Sequence, residues 1–246
     1  MATHNGQRLR RKNMNRGCAV DLNRNYDIAF GLGVPAGGCD QESYPGPFPF
    51  SEPETRAIKD LAESLPALKL YLDYHSPAEQ VLIPFAYTRE RPADFERSRA
   101  RAERYATVLK LLYGTLHPAR EGYDLAQGQG GGSIDWFRTR GTESFGIELR
   151  DGRELAGFEL PANQLIPSAE ENWTAFLELA GLLAADERPP GGHPADEVIG
   201  DGTDTLVPTP AIASMGCSLT AGRTAPTGWT AIAALILAAA LRRRRR

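Results

Sequence analysis

What this 246-residue sequence has little of narrows it first. Its 3 cysteines, Cys18, Cys39 and Cys217, form no Cys-x-x-Cys and no Cys/His pair at zinc-ligand spacing, which excludes zinc fingers and dithiol redox motifs. No apolar run reaches the roughly 20 residues of a membrane span; the long apolar stretch, residues 229–241, has 13. The opening residues, Met1-Ala2-Thr3-His4-Asn5-Gly6, are polar and lack the apolar core of a signal peptide. Charge of one sign is also scarce, at a net −3, although the five terminal arginines hide a body at −8. An acidic body argues against nucleic acid as a partner. The early basic cluster of Arg8, Arg10, Arg11, Lys12 and Arg16 reads as a solvated surface.

What is present belongs to a soluble globular chain, with 41% apolar and 24% charged residues. Residues 1–50 are rich in Gly, Pro and Asn and read as loops around one short strand at 19–22. Ser51-Glu52-Pro53-Glu54 is a capping-box pattern opening a helix to about Ser64, with Ile58, Leu61 and Ala62 inward. Strands are expected at 69–74, buried on both faces, and at 81–86. A long Arg/Glu-rich outer helix should span 92–113, its stripe made by Phe95, Ala102, Tyr105, Ala106, Leu109 and Leu112. Residues 114–132 read as loop, 133–139 as a helical turn, and 145–149 as a third strand. A helix at 161–184 should bury Ile166, Ala169, Trp173, Phe176, Leu177, Ala180 and Leu183. Strands alternating with helices predict an α/β fold, a mixed sheet flanked by helices.

Composition divides the chain at 1–184, 185–213 and 214–246. The middle stretch of Pro, Gly, Asp and Thr is a linker without a core. The last carries Gly216-Cys217-Ser218, the apolar stretch and the terminal arginines. It resembles the C-terminal sorting signals of myxobacterial surface proteins. That resemblance implies attachment to a membrane or cell envelope and an extracellular or cell-surface body; a tail-anchored membrane protein is the other reading. Cys18 and Cys39 bracket a Gly/Pro-rich loop of the kind a disulfide staples, which requires an oxidising compartment.

The chemistry centres on Tyr71-Leu72-Asp73-Tyr74-His75-Ser76, a β-prone run that ends on an imidazole. Alone, such a histidine is either a satisfied core residue or a metal ligand. Glu148, inside the apolar Phe145-Gly146-Ile147-Glu148-Leu149, is costly to bury unless it works or is paired; Arg150 is the nearby candidate partner. Asn23-Arg24-Asn25 places an arginine between two amides, either an anion clamp or a turn with a solvated Arg. Asp135 reads as a turn cap.

In this order the segments resemble the zinc carboxypeptidases of the M14 type, the carboxypeptidase A-like branch. The likeness runs from Thr3 to Leu183 through Arg8-Leu9-Arg10-Arg11-Lys12-Asn13, Val20-Asp21-Leu22-Asn23-Arg24-Asn25, Ser43-Tyr44-Pro45-Gly46-Pro47-Phe48, His75-Ser76, Gly132-Ser133-Ile134-Asp135-Trp136 and Leu160-Pro161-Ala162-Asn163-Gln164-Leu165-Ile166-Pro167. It implies a Zn2+ enzyme acting on peptide or protein C-termini, expected as a monomer. His75 would be a zinc ligand, Glu148 the general base and acid, and Arg11 the oxyanion stabiliser. Asn23 and Arg24 would bind the terminal carboxylate, with Ser76 also at the substrate. Ile134 would floor the specificity pocket and favour apolar or aromatic C-terminal residues. Cys18 and Cys39 match the family's disulfide pair. The family's closing tyrosine falls on Gln127, with Tyr123 four residues earlier. Its His-x-x-Glu motif should precede Arg11, where only His4 stands, so the sequence reads as N-terminally truncated. A non-catalytic peptide-binding remnant and a cell-wall peptide amidase are the alternative functions.

Overall fold

The computed structural model describes residues 10–15, 17–151 and 158–186. His4, the linker and the tail with Cys217 lie outside the described residues. Five helices and four strands are described: α1 (Pro53–Ser64), β1 (Leu70–His75), β2 (Gln80–Ile83), α2 (Phe95–Tyr113), β3 (Ala119–Glu121), α3 (Gly122–Ala126), α4 (Ser133–Thr139), β4 (Glu143–Glu148) and α5 (Ala162–Asp186).

The strands form one mixed sheet in the order β1-β4-β2-β3, with β1 parallel to β4, β2 antiparallel to β4 and β3 parallel to β2. Side chains alternate between the two faces of a strand, and here the faces have different jobs. Val81, Ile83, Phe145 and Ile147 join Phe95, Ala102, Tyr105, Val108 and Leu109 of α2 and Ala175 and Leu179 of α5 in the main core. The opposite face presents Tyr71, Asp73 and His75 from β1, Gly146 and Glu148 from β4, and Leu82 from β2. A second, aromatic cluster of Tyr26, Phe50, Trp136 and Phe137 packs there against Tyr71, whose ring stacks on Phe137 at 3.7 Å between centroids.

Several expected elements differ. Residues 19–22 form no strand: Asp21 is extended and caps a short 3-10 turn at Leu22–Arg24, accepting from the Asn23 amide. The capping box does not form, because Ser51 Oγ is occupied by Asn25 and Glu52. On α1 only Thr55 is buried, while Ile58 and Leu61 are exposed. β1 is half-buried rather than buried on both faces, with Tyr74 exposed, and among the described residues it pairs only with β4. The expected 114–132 loop contains β3 and α3.

Helix α5 presents a different face from the one expected. Ser168, Glu171, Asn172, Ala175 and Leu179 are buried, while Ile166, Trp173 and Leu177 are exposed. Three polar bonds explain this roll. Arg150 Nε and Nη2 reach Glu171 at 2.7 and 2.6 Å, and Tyr105 Oη donates to Asn172 Oδ1 at 2.9 Å. Turning α5 to bury Trp173 would strand those groups, and leaving one partner of a buried ion pair unmatched costs about 3–5 kcal/mol. Arg150 is therefore the partner of Glu171, not of Glu148.

A disulfide joins Cys18 and Cys39, 21 residues apart. Lys12 Nζ donates to the Cys39 and Gln41 carbonyls beside it. Asn25 sits at the centre of the same loop region, donating to Pro45 O, Phe48 O and Ser51 Oγ and accepting from Glu52 N and Thr55 Oγ1. These bonds fix the first loops against the start of α1.

His117, just before β3, is 1% exposed, and neither ring nitrogen has a hydrogen-bond partner among the described residues. Burial lowers its pKa, against the opposing pull of Glu171 and Glu79. The unfolded imidazole therefore takes a proton first, and stability contributed by neutral His117 is lost as pH falls below about 6.5. Thermal melts at pH 5 and pH 8 check this. His117→Phe should shrink the acid-induced fall in Tm by about 2–4 °C; an unchanged fall would refute it.

Candidate active site

The parallel register pairs His75 with Glu148 and Asp73 with Gly146 at the C-terminal ends of β1 and β4, and Leu82 of β2 lies opposite Gly146. Because all five side positions share one face, they floor a single cavity of about 290 Å³. Gly146 keeps that floor open: a Cβ there would stand 3.3 Å from Leu82 Cβ and 3.7 Å from Ile134 Cδ1. Loop residues Arg11, Asn23 and Arg24 form one wall, and Leu125, Ala126, Gln127 and Gln129 another. Ile134 and Ala86 add an apolar side.

Asp21 organises the cationic wall. It is 2% exposed and takes Arg11 Nε and Nη2 on Oδ2 at 3.1 and 2.7 Å, and Asn23 N on Oδ1 at 3.1 Å. Arg24 is half-buried and fully engaged: Nη1 donates to Asn23 O at 2.6 Å, while Nε and Nη2 both donate to Gln129 Oε1, at 3.0 and 2.7 Å. The alternative of a solvated turn arginine is thus excluded.

A ring of hydrogen bonds links this wall to the sheet. Ser133 N donates to Asn23 Oδ1 at 2.8 Å, which fixes the amide with Nδ2 facing His75 Nε2 at 3.0 Å. His75 Nε2 also lies 2.9 Å from Asp73 Oδ2, and Ser133 Oγ donates to the same carboxylate oxygen. Burial alone would lower the His75 pKa, but the bond to Asp73 and its charge outweigh it and raise it. Asp73 shows the converse: burial pushes up, and His75 and Ser133 bring it below the ordinary value. Glu148 is 8% exposed, and burial raises its pKa against the opposing charge of His75, with Asp73 adding to the rise. A carboxyl whose pKa burial raises is suited to general acid and base work.

Every site residue singled out from the sequence except Ser76 lines this cavity; Ser76 is exposed and outside the lining. Gln127 is at the rim in a left-handed conformation, φ 51°, ending α3. Tyr123 instead takes the Arg89 guanidinium over its ring. Sequence reasoning passed over Asp73 and Gln129. Asp73 is an acid at an inward position of β1, two residues before His75, and that spacing was the available signal. Gln129, between two glycines, gave none. The pocket beside Ile134 is therefore not free of charge, but Asp73 spends one carboxylate oxygen on His75 and Ser133.

Asp135 caps not its own helical turn but a distant one: it is fully buried and accepts from Ala86 N and Tyr87 N, fixing the turn after β2 along the apolar side of the cavity.

A zinc centre needs three or four protein ligands. His75 fits as one: Nε2 is held by a carboxylate, as metal-bound imidazoles commonly are. Among the described residues no three His, Cys, Asp or Glu side chains gather to hold a metal.

With this geometry in view, the zinc carboxypeptidase family profile matches residues 1–175. The chain belongs to the zinc carboxypeptidase family. It is 40% identical over 162 residues to carboxypeptidase A1 of Mus musculus, covering 65% of this chain and 38% of that protein. Against carboxypeptidase A1 of Sus scrofa it is 37% identical over 184 residues, covering 72% of this chain and 43% of the relative. The chain thus spans about two fifths of the length of the curated relatives it matches. Among solved structures, bovine thrombin-activatable fibrinolysis inhibitor in complex with tick carboxypeptidase inhibitor superposes with TM-score 0.65 at 27% identity, over 71% of this chain and 60% of that one. Carboxypeptidase A from Helicoverpa armigera gives TM-score 0.63 at 22% identity, over 69% and 43%, a likeness of fold.

The Asp135 carboxyl is pushed up to about 6 by burial, against its backbone bonds and Arg24. Its folded pKa lies above the model-peptide 3.8, so ionising it costs stability as pH rises from about 4 to 6. Asp135→Asn keeps an acceptor and removes that titration. Urea melts at pH 4.5 and pH 7 should show the variant gaining on the wild type at the higher pH, by about 1–2 kcal/mol; parallel behaviour would refute the assignment.

Proposed function

We propose that this chain carries the substrate-recognition and proton-transfer groups of a metallocarboxypeptidase that removes C-terminal residues from peptides. The observation that supports this most is the convergence of Arg11, Asn23, Arg24, His75 and Glu148 on one cavity floored beside Ile134. Asn23 and the Arg24 fork bind the terminal carboxylate, a planar anion matched to a planar guanidinium. Arg11, held by Asp21, faces the scissile carbonyl and stabilises its oxyanion. Glu148 accepts the proton of the attacking water and returns it to the leaving amine. A bound zinc, with His75 among its ligands, would polarise the carbonyl and acidify the water. Ile134, Leu82, Ala86 and Gly146 favour an apolar or aromatic last residue. The disulfide supports an extracellular or cell-surface setting.

A second reading is favoured by the single imidazole among the described candidate ligands: a protein that binds peptide C-termini without turnover. Two measurements separate the readings. Zinc analysis of the purified 246-residue chain is expected to show weak, substoichiometric metal, because one ligand does not make a site; tight one-to-one zinc would contradict this and favour turnover. On peptides ending in Phe or Lys, the Phe peptide should bind or be cleaved at least tenfold better, and a Lys preference would refute the role of Ile134. Where turnover is measurable, Glu148→Gln should lower kcat by about 10²–10⁴ with little change in KM.

A further inference from the structure

The group that occupies the Arg24 fork belongs to the protein itself. Nε and Nη2 converge on a single oxygen, Gln129 Oε1, at 3.0 and 2.7 Å. A carboxylate oxygen of a bound peptide would use those same two donors. Gln129 also lines the cavity beside Asn23 and Arg24. We propose that Gln129 is a tethered self-ligand of the carboxylate fork, a residue that sets substrate affinity by competing with the peptide's C-terminus for Arg24. This rests on the carboxylate-clamp reading above and adds a residue to it.

The surrounding backbone shows how the competition works. Gln129 N is held by Ala126 O at 3.1 Å. The two residues that follow are pinned to the loop that carries Arg24: Gly130 N donates to Leu32 O, Gly131 N to Ile28 O, and Gly131 O accepts from Tyr26 N. The packing is close enough to require glycine. A Cβ on Gly130 would stand 1.9 Å from Ala29 O, and one on Gly131 2.1 Å from Arg24 O. The backbone therefore stays where it is, and the fork opens by rotation of the Gln129 side chain alone.

The chemistry favours displacement by an anion. Arg24 is partly buried near the charges of Asp21 and Asp135, and a neutral amide oxygen in its fork adds no charge of its own. A carboxylate supplies two oxygens and a full opposite charge, so it can engage Nε and Nη2 as a bidentate pair with both partners ionised. A tethered amide needs no association entropy, so it holds the fork until such a ligand arrives. Apparent affinity is lowered by the fraction of molecules whose fork is free. A ligand that does not use the fork is not penalised.

The test uses the full chain and a fluorescein-labelled tripeptide ending in Phe, as free acid and as carboxamide, with binding read by anisotropy. Wild type should bind the acid more tightly than the amide. Gln129→Ala should bind the acid about three- to tenfold more tightly than wild type and improve the amide, a neutral acceptor like Gln129 itself, by less. Gln129→Glu, which places a carboxylate permanently in the fork, should weaken acid binding at least tenfold. If Gln129→Ala binds the acid no better while wild type keeps its acid preference, the self-ligand is refuted and the clamp stands. If no form distinguishes acid from amide, the clamp itself fails and the proposal with it. Should Gln129→Ala not fold, Gln129→Glu decides: undiminished acid binding refutes competition at the fork.

Discussion

The parallel hydrogen bonding of β1 to β4 places His75 opposite Glu148 and Asp73 opposite Gly146. Slipping β1 by one residue would turn its side chains to the other face, sending His75 and Asp73 into the main core and leaving Glu148 without them. The pairing is secured from behind by Phe145 and Ile147, both fully buried against α2 and α5. Helices α2 and α5 contribute no side chain to the cavity. Their packing fixes which face of β4 looks outward, and thereby which side chains meet the cavity.

A second layer of order comes from charge rather than from apolar packing. Asp21 holds Arg11 and the Asn23–Arg24 turn, while Asp73 holds His75 and is itself held by Ser133. Asp21 ties the segment of Arg11 to its own turn, while Asp73 joins β1 to Ser133, 60 residues on. The site therefore has its own network of bonds, tied to the sheet through Asp73 and His75. That arrangement suits loops that must present donors to a ligand and still keep their shape without one.

Much of this was legible in the sequence, for identifiable reasons. The β1 run ends on His75 after an unbroken β-prone segment, and the stripe of α2 repeats at helical spacing; both signals are local. The mixed sheet followed from strands alternating with helices. β3 was not legible, since Ala-Arg-Glu has no period, and it exists because Pro118 and Ala119 lie beside Val81. The buried face of α5 was misread because hydropathy favours Ile166 and Trp173, whereas Arg150 and Tyr105, distant in sequence, demand Glu171 and Asn172. At the site, residues within recognisable segments were found. Asp73 was hidden by its apolar neighbours, and Gln129 by glycines whose purpose appears only where they touch the Arg24 and Ala29 carbonyls.

The Cys18–Cys39 bond has a consequence beyond its own loop. It closes the segment holding Asp21, Asn23 and Arg24, which buries few apolar side chains and relies on Asn25 and the crosslink for its shape. A crosslink over that span is worth about 3 kcal/mol, none of which the four-stranded sheet needs. Reduction therefore loosens the loop that carries Asn23 and Arg24 before it loosens the scaffold. A reduced molecule would remain folded around His75 and Glu148 while that wall of the cavity loses its shape.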